Sequence, residues 1–304
     1  MTQLLNALPG ALAQGLIWGV MAIGVYITYK VLDIADLTVD GSICTGAAVC
    51  TMLLLGGQSP WLALLCAVLA GVLAGAVTGL LHVGLGIPPI LAGILTQMVL
   101  WSVNLKLLGK ANQALPARTT PVLLSQMDVG GALPVLLGFC VVLVALLVLF
   151  FGTELGCALR ATGCNPVMSR AQGVNTGLMK VVGLALSNGV VALSGALLCQ
   201  YQGYTDVNMG RGAVVIGLAA VVIGQAVLGR RGGRMAVQLG GVILGAVIYY
   251  IVYQVIIFAG FDTDLLKMFS AVVVAVFLGA PHVKAQLKAH SRSKKGDSGH
   301  AENE

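Results

Sequence analysis

Charge is what this chain has least of. Of its 304 residues only 9% are Asp, Glu, Lys or Arg, against 58% hydrophobic, too little polar surface to keep a globule of this length in water. Histidine is scarce and scattered, at His82, His282, His290 and His300, so neither a His-x-x-x-His metal pair nor a Ser-His-Asp triad can be assembled. The seven cysteines, at 44, 50, 66, 140, 157, 164 and 199, show no CxxC pair and no even set suited to a disulfide framework. Cys157 and Cys164 share one polar segment but have no histidine near them, which makes them poor metal ligands. A GxxxxGK(S/T) phosphate loop is missing too, with Gly109-Lys110-Ala111 the nearest fragment, so the chain does not bind ATP by that motif. No catalytic residue, metal ligand or cofactor is assigned to it.

Apolar runs are what fill the space. Stretches near 8–30, 38–56, 61–83, 88–108, 131–152, 179–201, 213–229, 235–259 and 265–281 each approach the length that crosses a hydrocarbon core. They predict an all-α polytopic membrane protein of about nine spans (8–10). Breakers mark the joints: Gly56-Gly57-Gln58-Ser59-Pro60, Gly86-Ile87-Pro88-Pro89, the stretch from Gly109 to Gly131, and Arg230-Arg231-Gly232-Gly233-Arg234. The spans read as one transmembrane domain over residues 1–283, followed by a polar tail, 284–304, expected to be disordered and cytoplasmic.

Lys and Arg set the expected orientation, because they collect on the cytoplasmic side of short loops. Arg160, Arg170 and Lys180, the arginines at 230–234 and the tail lysines all fall on one side when nine spans are drawn. That leaves the amino terminus, loops 109–130 and 202–212 and the Asp262/Asp264 turn outside, with Lys106, Lys110 and Arg118 a weak violation. The first run has no basic segment before Lys30 and is too long for a secretory signal, so it reads as a retained span. A net charge of +6 fits attraction to lipid headgroups; no nucleic-acid partner is expected.

Glycine, 41 residues, is patterned: Gly71, Gly75 and Gly79, Gly15 and Gly19, and Gly241 and Gly245 recur every fourth residue, which predicts helix seams of close approach. Two polar interruptions, Asp33 to Ser42 (with Asp36 and Asp40) and Tyr204 to Gly212 (with Asp206, Asn208 and Arg211), occupy corresponding places in the two halves. They predict an inverted repeat with broken helices around a pathway, the first at the inner face and the second at the outer. The alternative is a pair of interfacial loops whose Asp residues cap the next helix. Inside the spans the polar residues Gln97, Asn104, Asn188, Gln225, Gln238 and Gln254 are uncharged, which favours a neutral or zwitterionic solute. Each is expected to make an interhelical hydrogen bond. Met98, Trp101 and Phe139 could line a passage but fit a core or lipid-facing position.

The polar segment 153–180 is predicted to form short helix, turn, short helix, broken at Asn165-Pro166. Its run Ala158-Leu-Arg-Ala-Thr-Gly-x-Asn-Pro-x-x-x-Arg-Ala-Gln-Gly-Val-Asn is followed by Gly183-Leu-Ala-Leu-Ser-Asn-Gly, Leu193-Ser-Gly-Ala-Leu and Gln200-Tyr-Gln-Gly-Tyr-x-Asp-Val-Asn-Met-Gly. These strings resemble the permease subunits of bacterial ATP-binding cassette importers, in the branched-chain amino acid and ribose permease superfamily and its tryptophan/tyrosine-type subgroup. The resemblance runs over about residues 8–282 and implies a non-catalytic subunit in the bacterial inner membrane. Its implied partners are a second, identical permease chain, a cytoplasmic ATPase that holds ATP and Mg, and an extracytoplasmic binding protein that delivers a small solute such as an aromatic amino acid. Ala158, Arg160, Asn165, Pro166, Arg170 and Gly173 would couple to the ATPase. Asp36, Asp40, Asn188, Asp206, Asn208, Arg211 and Gln225 would lie on the pathway or near the binding protein. Cys157, Cys164 and Arg211 depart from the family pattern. An ion-coupled secondary transporter is the competing class, and it needs intramembrane ion ligands that are thin here.

Overall fold

The computed structural model describes residues 2–116, 120–228 and 234–258, together with Met268, Val272 and Ala275. The expected ninth span at 265–281, the Asp262/Asp264 turn, Arg118, most of the 230–234 arginine turn and the 284–304 tail lie outside the described residues. Within them the regular structure is helical apart from one small two-stranded sheet. The helices are α1 (Thr2–Tyr26), continued by a π turn (Ile27–Val31), α2 (Val39–Leu55), α3 (Pro60–Gly84), α4 (Pro89–Leu108), α5 (Val129–Gly152), α6 (Glu154–Cys164), α7 (Pro166–Ala171), α8 (Thr176–Gln202), α9 (Ala213–Leu228) and α10 (Met235–Phe258). Six stretches are long and apolar enough to cross a membrane, namely Ala7–Val31, α3, α4, α5, α8 and α10, while α2 and α9 are shorter apolar helices. A nine-span count is therefore not reached among the described residues. A second compact unit, Ile256–Glu304, is described only at the end of α10 and the three helical positions beyond it.

Local chemistry sets the ends. Ser59 accepts from the Leu62 amide with Pro60 as the first helical residue of α3, Asp128 accepts from the Gly131 amide to start α5, and Asn175 accepts from the Leu178 amide to start α8; each satisfies an amide the helix cannot pair itself. Gly109 and Gly203 close α4 and α8 with φ of 71° and 75°, a left-handed turn that a side chain would oppose.

α8 is the axis of the bundle. Against it α1 runs antiparallel: Ser194 donates to the Ile17 carbonyl at 2.7 Å and Ser187 to the Gly24 carbonyl at 2.7 Å. The glycine seams are contact lines within this chain. A β-carbon at Gly71 would meet Ala192 and the Asn188 carbonyl, at Gly75 the Leu184 carbonyl, and at Gly79 the Val181 Cα at 2.8 Å. One at Gly15 would reach the Val247 Cα at 2.8 Å, one at Gly19 the Ile243 Cα at 3.3 Å, and one at Gly245 the Ala220 carbonyl. With lipid as apolar as leucine, such backbone proximity is what holds helices together. Thr38, Thr78 and Thr96 add a chain of hydroxyl bonds, 2.8 and 2.9 Å, that joins α2, α3 and α4. On the outer faces of α3, α4 and α5, Leu65, Leu80, Leu91, Val141 and Leu149 stay exposed, as a lipid-facing surface requires.

At one end of the bundle β1 (Asn112–Ala114) pairs antiparallel with β2 (Tyr204–Asp206), with Gln113 opposite Thr205. This two-stranded sheet lies where only loops were expected. Its Thr205 hydroxyl bonds Thr51 of α2 at 2.6 Å, and the Gln126 amide donates to the Tyr201 carbonyl at 3.0 Å. The opposite end carries α6 and α7, as the short helix, turn, short helix reading expects.

Candidate functional site: where the two breaks meet

After the π turn the chain leaves helical geometry at Leu32 and runs irregularly to Thr38, with Asp33 in the left-handed region at φ 56°. This detour turns back inside the bundle. Asp36 is buried, and its carboxylate accepts from the Thr38 amide at 2.8 Å and from Asn188 Nδ2 at 2.7 Å. Asn188, in the middle of α8, accepts in turn from the Ser42 hydroxyl at 2.6 Å and donates a second time to the Leu184 carbonyl at 2.9 Å. A buried carboxylate in a bilayer-spanning bundle is tolerated when donors surround it in this way. The sequence reading placed Asp36 in a segment at the inner face. It lies instead among the helices, because α2 begins level with the middle of α8.

The second break follows β2. Asp206 accepts from the Asn208 amide at 2.7 Å and from Asn112 Nδ2 at 3.5 Å, so it organises the turn. Val207 then packs with Ala48 and Leu108, and the chain dips until Gly210 lies against α2. A β-carbon on Gly210 would meet the Asp40 carbonyl, and its amide donates to Cys44 Sγ at 3.2 Å. α9 starts there. Asp40, in the first turn of α2, accepts from the Gly212 and Val214 amides at 3.0 Å each and so caps the start of α9. Inner and outer positions for the two interruptions are therefore not what the structure shows at their helical ends: the starts of α2 and α9 meet. From that meeting α2 runs toward the β-sheet end, through Thr51 and Thr205, and α9 runs the other way, past Gly224 to the turn before α10. Two helices that start at one point and diverge are the geometry that discontinuous transporter helices use to present their positive ends.

A cavity of about 460 Å³ opens beside this junction, lined by Asp40, Gly41, Cys44, Gln97, Met98, Trp101, Ser102, Asn104, Val207 and Arg211. The Trp101 indole N–H donates to Asn208 Oδ1 at 3.4 Å, which ties α4 to the second break. A second cavity of about 550 Å³ lies between α2, α3 and α4, is almost wholly apolar, and shares Asn104 with the first. Of the pathway residues expected from sequence, Asp36 and Asn188 bond each other, Asp40 and Arg211 share the first cavity, and Asp206 and Asn208 shape the loop above it. Gln225 stands apart, exposed on the later half of α9. Trp101 and Met98 belong to the cavity although sequence favoured a core or lipid-facing place for them, and Gln97 lines it although it was expected to make an interhelical hydrogen bond.

At the α6–α7 end, Thr153 accepts from the Gly156 amide at 3.3 Å and Asn165 from the Met168 amide at 3.0 Å, each capping a short helix. Arg160 donates to the Phe151 carbonyl at 3.1 Å and Arg170 to the Thr176 hydroxyl at 3.2 Å, so both arginines have bonds within the chain. Gly173 takes φ 83° and ends the element. Ala158 is half-buried, while Asn165 and Pro166 are exposed at the turn. Val167 and Met168 are exposed beside them, 79% and 62%, and nothing in their residue types had singled them out. Underneath, α6 rests on the first break: a β-carbon at Gly163 would meet the Val31 carbonyl and the Leu32 Cα, and fully buried Leu159 reaches Gly183 beside Leu32.

Comparison with known proteins gives these features a context. Residues 8–280 match the family described as branched-chain amino acid transport system / permease component. The chain is 37% identical over 287 residues to the tyrosine transport system permease protein of Clostridioides difficile (strain R20291), covering 93% of this chain and 94% of that one. An uncharacterized protein of Rickettsia prowazekii (strain Madrid E) is 33% identical over 279 residues, 91% and 98% of the two chains. The autoinducer 2 import system permease protein LsrC of Escherichia coli (strain K12 / DH10B) is 29% identical over 216 residues, 67% of this chain and 60% of that one. No solved structure matches the chain.

Proposed function

Because the chain belongs to the branched-chain amino acid transport permease family, multi-pass proteins of the bacterial inner membrane, we propose that it is the membrane subunit of an importer powered by a separate ATPase and fed by an extracytoplasmic binding protein. The solute in this reading is an amino acid, of the aromatic class suggested by the tyrosine permease relative. The chain works beside a second copy of itself, each carrying its own α2–α9 junction, and it hydrolyses nothing itself.

One observation carries the coupling half of this reading. α6 and α7 form a small capped platform whose far side is exposed at Asn165, Val167 and Met168 and whose near side sits on Val31, Leu32 and Gly183. A push on the exposed side is therefore delivered to the first break, four residues before Asp36. When the ATPases close on ATP, the platform tilts, and the junction of α2 and α9 switches between outward and inward access. Exposed apolar residues beside a polar turn are what a groove on a soluble partner would cover.

Met168→Glu and Val167→Glu test this without disturbing the fold, since both side chains are exposed. In mild detergent, the wild-type chain is expected to copurify with an ATPase that carries a phosphate-loop motif. The double variant should retain the permease and lose at least nine-tenths of the ATPase, measured by quantitative mass spectrometry. Equal ATPase recovery with both variants would sink the platform as the docking site, and none with the wild type would sink the importer.

A further inference from the structure

Among the described buried side chains, Asn104 is the one whose amide oxygen and nitrogen both lack a hydrogen-bond partner. It is 1% exposed. An amide left dry and unpaired gives up its hydration with no hydrogen bond in return, so a bilayer-spanning helix that keeps one has a use for it. Asn104 lines the 460 Å³ cavity, whose wall also presents one charge of each sign, Asp40 and Arg211, with the Trp101 ring and Met98 between them. The volume falls within the range of small-molecule sites, about 300–1,000 Å³.

Resting on the importer reading above, we propose that this cavity is an intramembrane station for the solute, and that it takes a zwitterionic amino acid with an apolar or aromatic side chain. The Arg211 guanidinium receives the carboxylate and Asp40 the ammonium. Asp40 keeps an acceptor site for this, because a carboxylate offers about four and the Gly212, Ala213 and Val214 amides use one each. Asn104 lies sealed beneath the floor with a donor and an acceptor both open, so a solute that settles far enough to uncover it meets a partner for either charge. Trp101 offers a flat apolar face, and an aromatic side chain stacks there at offset geometry. A solute with a single charge leaves the opposite group unpaired, and the station rejects it for that reason.

Saturation-transfer NMR on the full chain in nanodiscs suits the weak affinity expected of a transit site, with L-tyrosine and L-leucine as zwitterions and tyramine as the amine without a carboxylate. The wild type should give transfer to the zwitterions at least threefold above tyramine. Asn104→Leu should abolish it while its melting temperature equals or exceeds that of the wild type, a combination that a merely structural role would not produce. Arg211→Gln should bring tyrosine down to the tyramine level. The station is overturned if the wild type gives no transfer from either zwitterion, if Asn104→Leu leaves the signal unchanged, or if tyramine matches tyrosine on the wild type. Failure here with the ATPase still copurifying leaves the importer standing. A signal that depends on Asn104 and Arg211 without any ATPase partner leaves the station standing and removes the importer.

Discussion

Asn188→Leu should melt far below the wild type in detergent. The substitution removes the Nδ2 donor that reaches Asp36 at 2.7 Å and the acceptor of the Ser42 hydroxyl at 2.6 Å. It leaves a buried carboxylate held by Thr38 alone, through its amide and its side chain. Breaking one side of a buried pair of this kind costs about 3–5 kcal/mol, and a domain of this size loses roughly 2–4 °C per kcal/mol, so the midpoint should fall by about 6–20 °C. The double variant Asp36→Leu/Asn188→Leu removes both polar partners and should regain a large share of that loss, because two apolar side chains no longer strand a charge. Scanning fluorimetry of the three proteins checks it. A single variant that melts within about 1 °C of the wild type would show that water or lipid headgroups reach Asp36 and that the network is dispensable.

Gly46→Val is expected to abolish the folded permease outright. A β-carbon at Gly46 would overlap the Ala192 backbone, and one at Gly195 would overlap the Ile43 carbonyl, so α2 and α8 touch backbone to backbone at two points. No rotamer change relieves a clash with main chain. Overpacking ordinarily costs about 1–3 kcal/mol when side chains can give way; here the helices themselves must separate, and the Ser42–Asn188 bond goes with them. The monodisperse peak in detergent size-exclusion chromatography should disappear. Gly138→Ala is the matched control, a mid-helix glycine in α5 with nothing within 4 Å of its added carbon, and it should elute as the wild type does. If Gly46→Val also elutes as the wild type, the two helices are further apart than described.

The apolar runs made the helices legible, since eight of them fall on α1 to α5 and α8 to α10 and the length of a bilayer leaves little freedom in where they end. Four-residue glycine spacing likewise gave the seams, because one helical turn is a local property of sequence. The short helices at 154–171 were legible through Asn165 and Pro166, which act on their immediate neighbours, while the Thr153 cap emerged only in the structure. What could not be read was whatever joins distant segments. Strands of three residues carry no usable alternation, so β1 and β2 passed as loops. Asp36 and Asp40 were recognised as pathway candidates, yet their depth follows from partners 152 and 172 residues away. Of the six polar residues expected to bond between helices, Asn188 bonds Asp36 and Ser42, and Gln238 accepts from the Tyr26 hydroxyl at 2.6 Å. Asn104 does neither, and a single chain of letters has no way to mark an amide left open.

The meeting of α2 and α9 also bears on how the protein is made. At about 5–20 residues per second, Asp36 leaves the ribosome on the order of 10–30 s before Asn188, and Asp40 precedes Gly212 by somewhat longer. Throughout that interval the segment from Asp36 to Asp40 carries two carboxylates that lack their long-range donors, Asp36 having only Thr38 beside it, so it is poorly suited to lipid. The insertion machinery must shelter it until the later helices arrive, and a nascent chain that stalls before residue 176 presents unpaired acids within the membrane, the kind of signal that intramembrane proteases and chaperones can act on.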